Sequence, residues 1–438
     1  MKLRSLILAT IVLAALVGVL YWSNHRKPTD EASKPSDSAP SILKLDEASI
    51  TKVEIKRPDT ETIVLSKSSS GAWEISAPKN YRADQANISS TLSSLSALNS
   101  QRVVDDKPSD LKQYGLNPAG VEVEITEKDN KSQKLLLGDT NPTGNSVYTQ
   151  LAGDPRVFTI PTYNKTSIAK TLNDFRDKRF LPVSADQVSR LDVIRKSQTI
   201  EFGRTKDEWQ ILQPKPMRAD STQVGNLVEK LTDARADLNA SDPKESTSAF
   251  AAGTLVVSAR MTDPSGSQEL QIKKSKDTYY GKSTALEGVY KLNADVAQSL
   301  DKSVDDFRNR KLFDFGFTDP SKVDIRSATK SYDLTRNQHD WWSNGKKMDV
   351  DTVAPVLSDL RDLAADKFVA SGFTNPTIEF AVTSEDGKHT EKVLIAKSGD
   401  DYIAQRENDP TLYHVASPSI DDLLKTADNL KPAAAPTK

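Results

Sequence analysis

ITKVEIKR at residues 50–57, VSRLDVIRK at 188–196 and SKVDIRSA at 321–328 are three versions of one stretch. Each runs polar, basic, apolar, acidic, apolar. Such a period of two reads as a half-buried β-strand. A second short strand follows each: TIVLS at 62–66, TIEFG at 199–203 and YDLTR at 332–336. A tryptophan then recurs, as Trp73 in GAWEIS, Trp209 in DEWQIL and Trp342 in HDWWS. Three strands with short connections predict a β-meander.

A helix comes next. APKNYRAD and QPKPMRAD end at Asp84 and Asp220. Beyond those aspartates the apolar residues Ile88, Leu92, Leu95 and Leu98, then Val224, Val228, Leu231 and Ala234, fall on one helical face. Counting from Asp349 gives Val353, Leu357, Leu360 and Leu363. Pro355 would interrupt that helix, because proline removes an interior hydrogen bond. The third helix is therefore expected to start late, capped by Asp351. Further strand-like runs follow in every unit. Each unit closes with a predicted helix, at Tyr163–Arg176, Ala294–Arg308 and Ser419–Leu430. The first two helices share a Phe–Arg ending.

The predicted fold is α+β. Three tandem related units each hold an antiparallel β-meander plus helix, followed by further strands and a closing helix. Their boundaries are expected at 42–184, 185–318 and 319–430. Strand–helix alternation with glycine-rich turns is absent, which argues against a doubly wound nucleotide fold.

Outside the units lie two segments of different character. Residues 6–22, LILATIVLAALVGVLYW, carry no charge and follow Lys2 and Arg4. About 20 apolar residues span a bilayer core. Tyr21 and Trp22 suit the headgroup level. A cleaved signal peptide is the alternative, but LYWSNHRKP offers no small-x-small cleavage site. A buried helix is the remaining reading. Residues 1–26 are thus expected to anchor the chain in the cytoplasmic membrane. The flanking charges nearly tie, and a cytoplasmic N-terminus is the orientation expected. Residues 27–41 read as a proline-bearing linker and 431–438 as a disordered tail. The predicted location is the cell inner membrane, single-pass, with the globular part in the periplasm or outside the cell.

Composition excludes several functions. The 438 residues contain 59 Lys+Arg and 61 Asp+Glu, for a net charge of −2, which argues against a nucleic-acid partner. No cysteine is present, so disulfides, thiolate metal sites and thiol catalysis are excluded. The four histidines, His25, His339, His389 and His414, share no metal-ligand spacing. No catalytic, cofactor or metal residue is assigned, and no cofactor is expected.

The tempting residues have structural readings. Trp73, Trp209 and Trp342 fit a carbohydrate platform, but one per unit at one strand position reads as core. Trp341 faces the other side of its strand from Trp342. One of the two is expected to be exposed, and Trp341 is the candidate partner-surface residue. Asp84, Asp220 and Asp351 read as helix caps rather than catalytic acids. Phe175–Arg176 and Phe307–Arg308 read as connections, each phenylalanine packing into the next unit. The pairs Asp105–Asp106, Asp305–Asp306, Asp400–Asp401 and Asp421–Asp422 read as solvated faces. No calcium loop or hydrolase motif accompanies them.

Trp73–Asp84, Tyr114–Pro118 and Trp209–Asp220 carry a pattern: Trp-x-Ile, then Pro and Ala-Asp opening an apolar helix, with Tyr-Gly-Leu-x-Pro before a strand. This resembles the bacterial domain-of-unknown-function family 4340, over most of 42–320. The third unit lacks the Pro-x-x-x-Arg-Ala-Asp segment. The resemblance implies a membrane-anchored protein found beside gliding-motility-type ABC transporters. The expected function is a non-enzymatic, extracytoplasmic accessory or scaffolding role, with an ABC transporter component as membrane protein partner. The alternatives are an envelope protein binding glycan or peptidoglycan, and, third, a hydrolase.

Overall fold

The computed structural model describes residues 41–434, apart from 207, 240 and 241. The first sheet comprises Ile50–Arg57 (β1), Thr60–Lys67 (β2), Trp73–Ala77 (β3), Tyr81–Arg82 (β4), Arg102–Asp105 (β5), Val121–Glu127 (β6), Ser132–Thr140 (β7), Ser146–Leu151 (β8) and Val157–Pro161 (β9). Its spatial order is β4-β3-β2-β1-β6-β7-β8-β9-β5. The second comprises Arg190–Ile194 (β10), Thr199–Thr205 (β11), Glu208–Gln213 (β12), Met217–Arg218 (β13), Thr254–Asp263 (β14), Gly266–Ser275 (β15), Thr278–Ser283 (β16) and Val289–Leu292 (β17), ordered β13-β12-β11-β10-β14-β15-β16-β17. The third comprises Lys322–Arg326 (β18), Ser331–Asn337 (β19), Asp340–Ser343 (β20), Lys346–Lys347 (β21), Lys367–Val369 (β22), Ile378–Thr383 (β23), Thr390–Ser398 (β24), Asp401–Arg406 (β25) and Leu412–Val415 (β26). Its order, β21-β20-β19-β18-β23-β24-β25-β26-β22, repeats the first. The strands pair antiparallel, as in a meander (β1 with β2) and across the centre (β1 with β6). The protein is thus α+β with repeated units.

Each sheet carries one helix against its apolar face: Gln85–Ser96 (α1), Ser221–Thr232 (α4) and Val350–Asp362 (α7). The expected apolar positions, from Ile88 to Leu98, Val224 to Ala234 and Val353 to Leu363, are all buried. Asp84 accepts from the Asn87 N–H, and Asp220 from the Thr222 and Gln223 N–H groups. The third cap is Asp349, not Asp351, so this helix does not start late. Pro355 sits inside it. Both Pro355 and Asp351, whose carbonyl loses its donor, lie on the exposed side, where water replaces the bond.

The closing helices also differ from expectation. The first breaks into Thr162–Ile168 (α2) and Leu172–Phe175 (α3). In the second, Ala294–Ser299 (α6) is followed by a 3₁₀ turn at Val304–Phe307. Only Ser417–Asp428 (α8) is continuous. Breaks leave carbonyls without intrahelical donors, and one arginine satisfies them in each case. Arg57 donates to the carbonyls of Ala169 and Lys170 at 2.6 and 2.7 Å. Arg195 donates to those of Leu300 and Lys302. The same position in the third unit is Ser327, and there the helix has no break. Two further elements escaped the periodicity: the short edge strands β5 and β22, and in the second unit a helix at Pro243–Ala252 (α5).

The ends of the units interlock by backbone pairing. Phe175–Asp177 pairs with Arg82–Asp84, Phe307–Asn309 with Arg218–Asp220, and Lys431–Ala433 with Lys347–Asp349. The start of the tail is therefore ordered, because its backbone completes the third unit. The apolar pairs Ile42–Leu43, Phe180–Leu181 and Leu312–Phe313 are buried in the cores that follow them. The chain divides into two compact units after Asp177. The first holds the first sheet, and the second holds the other two. Among the described residues no helix is long and apolar enough to cross a membrane. The anchor expected at 6–22 and the linker up to residue 40 lie outside the described residues.

Candidate functional site

The recurrent tryptophans occupy one position, but its third member is Trp341. Trp209 stands opposite Arg204 and Trp341 opposite Arg336, and each arginine N–H bonds back to a serine carbonyl, Ser189 and Ser321. Trp73 takes the same place in the first sheet. All three are buried, Trp341 at 3% exposure. Trp342 lies on the other face at 37%. Only one of the pair enters the core, as expected, but it is Trp341. Trp341 is therefore not a partner surface. The sequence HDWW allowed either register, and the acidic–Trp pairing seen in Glu208–Trp209 and Asp340–Trp341 was the available signal.

The Phe–Arg endings also act differently from expectation. Phe175 and Phe307 pack into their own cores. The Phe307 ring meets Phe202 edge-on, with centroids 5.1 Å apart. It is Arg308 that reaches the next unit. Its guanidinium lies 3.4 Å from the Phe368 ring centroid. Arg176 stacks on Tyr81 of its own unit, at 4.3 Å.

Near Arg308 a charged network joins the second and third sheets. Arg218 Nη2 donates to both carboxylate oxygens of Asp314, at 2.6 and 2.5 Å. Arg406 reaches Asp314 at 2.9 Å and Glu391 at 2.7 Å. Glu391 also accepts from the Asp314 N–H. Arg218 further donates to the Tyr413 hydroxyl, which in turn donates to Asp409. Burial pushes the Asp314 carboxyl up, but Arg218 and Arg406 outweigh it and hold it below the ordinary aspartate range. Hydrogen bonds between ionised partners are stronger than those between neutral groups. Sequence reading missed this group, because its members lie far apart along the chain.

A cleft of about 720 Å³ opens beside it, lined by Trp209, Arg218, Asp220, Asn309 and Asp314. The first unit has a smaller counterpart of about 440 Å³ at Trp73, Tyr81, Arg82 and Gln85. In both, the arginine is engaged; Arg82 pairs with Asp177 at 2.9 Å. The helix N-termini are already capped by aspartate.

The acidic doublets are not simply solvated faces. Asp105 accepts from the Tyr114 hydroxyl, Asp306 forms a capping box with Ser303, and Asp401 accepts from the Ser417 N–H. Asp421 accepts from Tyr402, whose phenol burial and that carboxylate push up to about 12. His339 and His389 are exposed. His414 stands between Asp366, at 3.6 Å, and Asp401, at 3.4 Å, a placement the sequence did not reveal. Among the described residues no three His, Asp or Glu side chains are placed to hold a metal ion.

No curated protein matches the chain. A solved structure of the DNA polymerase sliding clamp from Pseudomonas aeruginosa with ligand aligns over 86% of this chain and 93% of its own. The identity is 8% and the TM-score 0.16. One family model matches twice, over residues 73–249 and 209–378, each match starting at an equivalent tryptophan. The chain therefore belongs to the family described as Domain of unknown function (DUF4340).

Proposed function

We propose that this protein is a non-enzymatic scaffold, tethered to the cytoplasmic membrane through residues 6–22 and working outside the cytoplasm with a membrane component of an ABC-type transporter. The observation that carries the reading is how the charged groups are used. Arg218, Asp314, Arg406 and Glu391 bind one another and fasten two repeats together. Rigid repeats on a tether suit a protein that presents surfaces. Phe317 is the most exposed large apolar side chain among the described residues, at 94%, and its ring lies 5.8 Å from the Arg361 guanidinium. An exposed aromatic side chain is the kind of group that anchors protein interfaces.

Cross-linking of the full chain in native membranes, followed by mass spectrometry, tests the proposal. A transporter membrane subunit should be captured, and Phe317→Asp should reduce its yield while the protein stays folded. Alkaline carbonate should leave the chain in the membrane fraction. A mature N-terminus beginning after Trp22 would reject the tether. Loss of the cellular phenotype on joint replacement of His339, His389 and His414, with folding and location intact, would reject the non-enzymatic reading.

A further inference from the structure

The second sheet ends one strand early. The first and third sheets each close with a further strand, β5 beside β9 and β22 beside β26, whereas β17 is the last strand of its sheet. The three strands share one register: Thr159, Lys291 and His414 stand opposite Tyr148, Tyr280 and Ile403. The Thr159 and His414 carbonyls face outward and accept from the Gln101 and Asp366 N–H groups. The Lys291 carbonyl holds the same position and has no such donor among the described residues. The N–H of the same residue points the same way, as in any antiparallel ladder.

The sequence explains the missing strand. The second and third repeats run in step as far as Ala236, whose N–H bonds to Lys178 as that of Ala365 does to Arg310. Arg102–Val103 and Lys367–Phe368 then pair with their sheets. The second repeat has Leu238–Asn239 at that place, followed by Asp242–Pro243. Asparagine disfavours a strand, while Asp242 caps α5 and Pro243 opens it. Helix α5 packs on the outer face of the sheet, where Phe250 meets Tyr280 and Val289. Among the described residues it bonds to no backbone group of β17. Lys282 and Lys291 are exposed on that same outer face, and neither side chain has an ion pair among the described residues. The carboxylates of adjoining segments do not neutralise them. Asp242 caps α5, Asp237 accepts from the Asn239 N–H, and Glu287 has a partner. Glu245 and Asp277 each follow a lysine, Lys244 and Lys276.

We propose that the β17 edge receives an extended acidic segment of a partner protein, which becomes the ninth strand of the second sheet. A strand alternates its faces. Its side chains beside Lys282 and Lys291 are acidic. Those on the other face are apolar and extend the core, as Val103 and Phe368 do in the first and third sheets. A second copy of this chain fits worse, because pairing two β17 strands brings their lysines together. The edge and Phe317 lie in different repeats, and the proposal does not depend on the transporter reading.

Calorimetric titration of the full chain with a peptide of about eight residues alternating glutamate and valine tests the proposal. The peptide should bind saturably and slow amide exchange at Lys291 at least tenfold, a protection that a loose ionic contact does not give. The matching lysine–valine peptide should bind at least tenfold more weakly. Lys282→Glu with Lys291→Glu should reverse that order. Lys291→Pro removes an outward N–H and no ladder bond, which an edge strand tolerates. It should abolish binding, and an unaltered thermal transition verifies folding. If the proline variant misfolds, the charge reversal decides alone. No saturable binding, binding without protection of Lys291, or equal affinity for the two peptides would overturn the assignment. So would a dimer of the free chain that Lys291→Pro dissociates, because a second copy would then hold the edge.

Discussion

At the residue scale, one position separates core from surface. Trp341 fills the third core while Trp342 is partly exposed, although the two are chemically identical neighbours. Deleting a buried aromatic removes its transfer energy and leaves a cavity. Trp341→Ala should therefore cost about 3–5 kcal/mol, and Trp342→Ala under about 1 kcal/mol. Urea denaturation midpoints of the two variants check this, and equal losses would refute the assignment. A second residue contrast concerns Asp324 and Asp333, which stand directly opposite each other on β18 and β19. The hydrogen bond with Asp324 raises the Asp333 carboxyl, with burial adding to the effect. Burial also pushes Asp324 up, but its bonds to Asp333 and Lys322 outweigh this and lower it. A raised carboxyl costs stability once pH climbs past its folded pKa, and costs nothing well below the unfolded value. Asp333→Asn should thus be neutral in acid and stabilising at neutral pH. Asp333 is half exposed and screened, so the gain is about 0.5 kcal/mol. A gain that grew toward acid would contradict the pairing.

At the element scale, two devices hold pieces that local propensity leaves loose. Arg57 and Arg195 satisfy the carbonyls freed where closing helices break. Arg195→Met should leave the fold intact but increase amide exchange across residues 294–307 at least tenfold. Unchanged protection there would show that the break needs no arginine. The second device is the Arg218–Asp314–Arg406–Glu391 joint. Glu391 is nearly buried, so Arg406→Met strands its charge, at a cost of about 3 kcal/mol. Calorimetry should then resolve two transitions for residues 178–438, against the single one expected of the unaltered unit. Asp314 has a depressed pKa, so its contribution is present above the ordinary aspartate range and is lost as pH falls through the folded value. Acidification should separate the transitions in the native protein, and Asp314→Asn should remove that pH dependence.

At the scale of the whole molecule, three similar sheets make two compact units. The joint gives a reason for the second unit's size. The counterparts of Asp314, Glu391 and Arg406 in the preceding repeat are Pro182, Gln268 and Ser283, so its ionic version is particular to the last two repeats. Residues 178–438 should fold alone with cooperative urea unfolding, and a molten product would refute the division. The sequence by itself determined the three repeats, the meanders, the apolar helix faces and two of the three caps. Those features follow from local periods of 2 and 3.6 residues and from side chains that bond the backbone a few positions away. It could not choose between Trp341 and Trp342, because two adjacent tryptophans satisfy either strand register. It did not reveal α5, the edge strands or the breaks in the closing helices. Those depend on what each segment packs against. Nor did it show the joint, whose partners are 92 and 96 residues apart. Contacts at that separation are selected by the packed fold alone, since nothing in the local pattern distinguishes Arg218 from any other surface cation.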